Sequence, residues 1–176
     1  MPQQPFVVFR RNVPPCPHLR QFVQHDCAED QAQLIAAVDE LEPVLLSYEQ
    51  TRMDFNEKRS RLQDSMSRYD GTVDRTMAGF CDLDSLFERT GALQSASDEF
   101  GDALHGRGDA RMAARGAVQR VGSLLDQINT ESLGHAAREA FDLAGSELRG
   151  WMDRLSEAHP PVAYSMLPIA RWRRIA

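Results

Sequence analysis

The sequence predicts an all-α fold: an elongated antiparallel helical bundle with coiled-coil-like heptad packing, an extended N-terminal arm and a C-terminal tail. Three observations carry this expectation. From Leu34 to Phe80 the spacing alternates four and three: Leu34, Val38, Leu41, Leu45, Tyr48, Arg52, Phe55, Arg59, Leu62, Met66, Tyr69, Val73, Thr76 and Phe80. A mostly apolar stripe of this kind, sustained over many turns, belongs to a helix packed lengthwise on other helices. Three later stretches repeat the spacing, and prolines cluster on either side of the periodic region, at positions 2, 5, 14, 15 and 17 and again at 160 and 161.

At 176 residues and 19.8 kDa the chain has room for one domain with a real core. Hydrophobic residues at 42% and a mean hydropathy of -0.45 suit surface-rich helices rather than disorder. No apolar run is long enough to span a bilayer, and the N-terminus has no charged-then-apolar leader, so the expected compartment is the cytoplasm. Three cysteines at irregular spacing, Cys16, Cys27 and Cys81, fit reduced thiols better than a disulfide framework.

The net charge of -6 is unevenly spread. Residues 1–25 carry three arginines and no acid, as do residues 160–176, whereas residues 26–50 carry seven acids and no base. An acidic body lacks the basic face that nucleic-acid binding requires.

Taken in order, residues 1–25 read as an extended arm, because proline lacks the amide donor and forces its predecessor out of the α region. Within it Phe6, Val7, Val8 and Phe9 form an apolar patch suited to docking on a groove or another subunit. A bundle spans 26–159. Its long helix covers about 26–87 and passes through Pro43, where the seam stays in phase on both sides. Arg52 and Arg59 occupy seam positions one heptad apart, where they either lay their stems along the seam or pair with carboxylates of a facing helix. A shorter helix covers about 88–105 and ends at Gly106-Arg107-Gly108, read as a turn with Asp109 capping the next helix. That last helix covers about 109–158, interrupted near Asn129-Thr130-Glu131 with Thr130 as a possible cap, and is stopped by Pro160 and Pro161. The tail, 160–176, mixes apolar residues including Trp172 with Arg171, Arg173 and Arg174, which suits a partner, a membrane surface or the bundle itself.

No phosphate-binding glycine loop, nucleophile elbow or His-Glu-x-x-His pattern occurs. Glu131 and His135 lack the spacing and the second copy that a di-iron bundle needs. Cys16, His18, His25 and Cys27 supply zinc-compatible donors, but at a spacing unlike that of zinc fingers. The expectation is therefore a non-enzymatic structural or adaptor subunit of a larger assembly, or a homodimer, with no cofactor and no nucleic acid. Its contacts would come from the long helical surface and the termini. Two alternatives share the same features: a membrane-peripheral module whose long kinked helix resembles BAR-like domains in architecture, and a secretion or assembly chaperone that holds a client helix.

Overall fold

The structure is a computed structural model and describes residues 15–25 and 31–156. The described residues are helical: α1 (Pro17–His25), α2 (Ala32–Met77), α3 (Leu83–Leu125) and α4 (His135–Ser156), with a 3-10 turn at Thr130–Ser132 between α3 and α4. Helices α2 and α3 pack antiparallel along their length, α4 folds back on α3, and α1 lies on α4 and touches α2.

Several elements depart from the sequence expectation. Part of the supposed extended arm is helical. Pro17 is the first residue of α1, where a missing amide costs nothing and the fixed φ suits the helix. Leu19, Phe22 and Val23 then form one buried face. The open amide at the start of α1 is satisfied from across the molecule, since Leu19 N–H donates to Glu147 Oε2 of α4 at 2.9 Å.

The long helix passes through Pro43 as expected but stops at Met77. Gly79 sits at φ 78°, Gly79 N–H donates to Thr76 O at 3.0 Å and Phe80 N–H to Arg75 O at 2.8 Å. This pair of bonds is a Schellman stop, and it needs a residue that tolerates the left-handed region. Asp82 caps the next helix by accepting from Ser85 N–H at 2.8 Å. The apolar phase that runs on to Leu83 and Phe87 therefore crosses a tight hairpin turn and does not mark one continuous helix.

The expected turn at Gly106-Arg107-Gly108 is absent. Both glycines lie inside α3, a single 43-residue helix, and Asp109 caps nothing. Two interior glycines cost about 1 kcal/mol each relative to alanine. They are carried by the heptad column Leu86, Leu93, Phe100, Arg107, Ala114 and Val121, which runs unbroken through them. The later interruption falls where expected, except that the Asn129 side chain, in place of Thr130, accepts from Glu131 N–H at 3.1 Å.

The main core is confined to one end. Leu34, Leu41, Leu45 and Tyr48 of α2 meet Ala114, Val118, Val121 and Leu125 of α3 beneath α1 and α4. Full burial of each larger aliphatic side chain contributes roughly 1.5–3 kcal/mol. Trp151 closes this base, with its indole N–H donating to Pro15 O at 3.1 Å. Beyond Tyr48 and Ala110, α2 and α3 continue, among the described residues, as a two-helix stalk about 45 Å long at roughly 1.5 Å per residue. Among the described residues, only Phe55, Tyr69, Thr72 and Phe100 are buried in it.

Candidate functional site

The stalk has two unlike faces and an apolar tip. One face is polar. Lys58 Nζ donates to Glu99 Oε2 at 2.8 Å, and Arg61 reaches the same carboxylate at 3.8 Å. The hydrogen bond to Lys58 holds Glu99 below the usual carboxylate range and raises Lys58 in return. Between the helices the Phe55 and Phe100 rings pack with centroids 5.3 Å apart, and the Arg107 guanidinium lies 4.5 Å from the centroid of the Phe55 ring. That stacking explains how an arginine occupies a seam column otherwise filled by Leu, Phe, Ala and Val.

The opposite face continues the surface that α1 and α4 cover in the base. Val38 and Leu45 line the cleft under α1 with Cys16 and Leu19. The Arg111 side chain donates through Nε to Leu155 O in the last turn of α4 at 2.6 Å, so the cover ends there. The same heptad columns then run on uncovered by any other described element. Val38 and Leu45 are followed at sevens by Arg52, Arg59, Met66, Val73 and Phe80, and Arg111 is followed toward the tip by Leu104, Ser97, Thr90 and Leu83.

Arg52 and Arg59 thus stand where the roof stops, and both are exposed. Arg52 pairs at 2.9 Å with Glu49 of its own helix, in place of the expected carboxylate on a facing helix. A half-exposed pair of this sort adds well under about 1 kcal/mol.

At the tip four large apolar side chains face solvent: Met77 at 84%, Phe80 at 82%, Phe87 at 72% and Leu83 at 63% exposed. The sequence pattern puts Phe80 on the seam and extends the long helix to about 87, which hides the patch. The signal was present in Gly79, one residue before Phe80, which ends the pairing partner of those positions.

Among the remaining candidates, Cys16 is buried in the base while His18 and His25 are exposed, so these three donors do not converge. The described residues hold no group of three or more His, Cys, Asp or Glu arranged for a metal ion. Cys27, the Phe6-Val7-Val8-Phe9 patch, Arg171, Trp172, Arg173 and Arg174 lie outside the described residues. No described helix is long and apolar enough to cross a membrane.

Neither protein-family models, nor curated proteins, nor solved structures show a significant match to this chain.

Proposed function

We propose that the chain is a non-enzymatic structural or adaptor subunit that binds other proteins through its two-helix stalk. The observation that carries this reading is the exposed quartet Met77, Phe80, Leu83 and Phe87 at the end of a projecting hairpin. Single exposed apolar residues are ordinary, but two phenylalanines, a methionine and a leucine within eleven positions form a patch of the kind that marks interaction sites. Aromatic anchors of this type dominate the energy of protein interfaces. A stalk set apart from a well-packed base suits a presenting element, since the base anchors it and leaves the tip clear.

The test compares the tagged full chain with the double variant Phe80→Ser, Phe87→Ser, each purified from its native cells and its co-purifying proteins quantified by mass spectrometry. Recovery of the specific partners falls at least about tenfold in the variant, the scale expected on losing an aromatic hot spot. Circular dichroism of the two proteins coincides, because neither side chain is part of the core. Equal recovery from both proteins would remove the tip from the interface and this reading with it.

A further inference from the structure

We infer that the open stalk face packs against the same face of a second copy of this chain, with the two stalks antiparallel. The inference deepens the protein-binding reading above by naming the partner of one surface, the face that α1 and α4 leave uncovered.

The charge pattern of α2 carries the inference. Along the uncovered column the basic residues lie near the base, at Arg52 and Arg59, and the middle and distal positions are Met66, Val73 and Phe80. Asp70 and Asp74 follow Met66 at four and eight residues and so flank the distal half of the same side. Basic near the base and acidic near the tip is self-complementary when two such helices run antiparallel, and self-repelling when they run parallel.

Register follows from a two-fold axis near Met66. Arg59 of one copy then lies beside Val73 of the other, within reach of Asp70 and Asp74, and Arg52 comes opposite Phe80, where a guanidinium can stack on the ring. The same operation sets α3 against α3. The close pairs Phe55–Phe100 and Lys58–Glu99 place Thr90 at about the height of Met66. Thr90 therefore lies at the axis, with Leu83 of one copy beside Ser97 of the other, and the small Thr90 and Ser97 allow close approach. The acids Glu99 and Asp102 belong to the polar face with Lys58 and stay outside this contact.

Size supports the same occupant. A face about 45 Å long and two helices wide offers roughly 900 Å². A stable interface buries about 800 Å² per partner. The arrangement also repeats, beyond the base, the packing that the base already uses: two more helices laid over α2 and α3. An isologous two-fold contact needs no further surface and closes on itself.

The test uses the purified full chain in sedimentation equilibrium across a dilution series, with charge-reversal variants. Wild type is dimeric. Arg59→Asp weakens the dimer by about tenfold or more. Asp70→Arg with Asp74→Arg weakens it similarly, and the three changes combined restore most of the affinity. Met66→Cys, placed near the two-fold axis in a background lacking the native cysteines, forms a disulfide between copies on oxidation. Wild type that stays monomeric to about 100 µM overturns the inference, since an interface of this area should associate well below that. A dimer that ignores the charge reversals, or in which Met66→Cys does not cross-link, overturns it as well. Phe80 takes part in this contact, so the single variant Phe87→Ser, which lies outside it, reads partner recovery at the tip separately.

Discussion

Cys16 shows how burial sets the chemistry of a single side chain. Its thiol is pushed up to about 12, first by burial and next by the Glu147 carboxylate, while the neighbouring Trp151 indole N–H and the charge of Arg154 pull the other way. The folded state therefore keeps a proton that the unfolded chain releases near its ordinary value of 9.0. The stabilisation from this group is complete below pH 9.0 and is lost as the pH rises toward about 12. At about pH 8 iodoacetamide should modify Cys81, at the partly exposed hairpin turn, and spare Cys16 until denaturant is added. Peptide mass mapping reads the difference, and fast native labelling of Cys16 would contradict its burial. Glu99 works in the opposite sense: its carboxylate is held low by Lys58, so its small contribution is present at neutral pH and lost in acid. On a half-exposed site that contribution is slight.

At the scale of the element, two kinds of glycine act in the hairpin. Gly79 holds a left-handed conformation that makes the Schellman stop, so Gly79→Ala should destabilise the protein by roughly 1–2 kcal/mol. Gly106 lies in the interior of α3 with nothing within 4 Å of where a Cβ would sit. Gly106→Ala should therefore stabilise by about 0.5–1 kcal/mol. Urea unfolding of both variants, followed by helical circular dichroism, gives the two signs. If Gly106→Ala were as damaging as Gly79→Ala, α3 would not be continuous there. The sequence signal for continuity is the column at sevens from Leu86 to Val121, and the glycine pair masks it because glycine more often ends a helix than sits inside one.

For the whole molecule, stability is expected to be graded along its length. The base has four helices around Leu19, Phe22, Leu41, Leu45 and Leu155, while each turn of the stalk has one neighbouring helix and a partly exposed seam. Hydrogen exchange of the isolated monomer, at low concentration or in the Arg59→Asp variant, should therefore show amides of residues 34–48 and 114–125 opening only with global unfolding. Those of residues 66–76 and 84–95 should exchange at least about tenfold faster through local opening. Uniform protection from base to tip in the isolated monomer would mean that the stalk is held by contacts other than those between α2 and α3.

Helical class and seam register follow from the chain alone, because both depend on spacings of three and four residues that a local pattern records completely. From Leu34 to Tyr69 nearly every aliphatic and aromatic seam residue is at least half-buried, and Pro43 breaks nothing. Which helix lies against which depends on chain reversals and on long-range contacts that periodicity does not contain. One left-handed glycine turned the end of the first pattern into the start of its own partner. A carboxylate on α4, 128 positions away, completes the start of α1. Only the tertiary structure could decide that Arg52 and Arg59, which share a heptad column with Val38 and Leu45, stand just past the edge of a roof. A seam position is buried by whatever covers it, and the cover is a property of the fold.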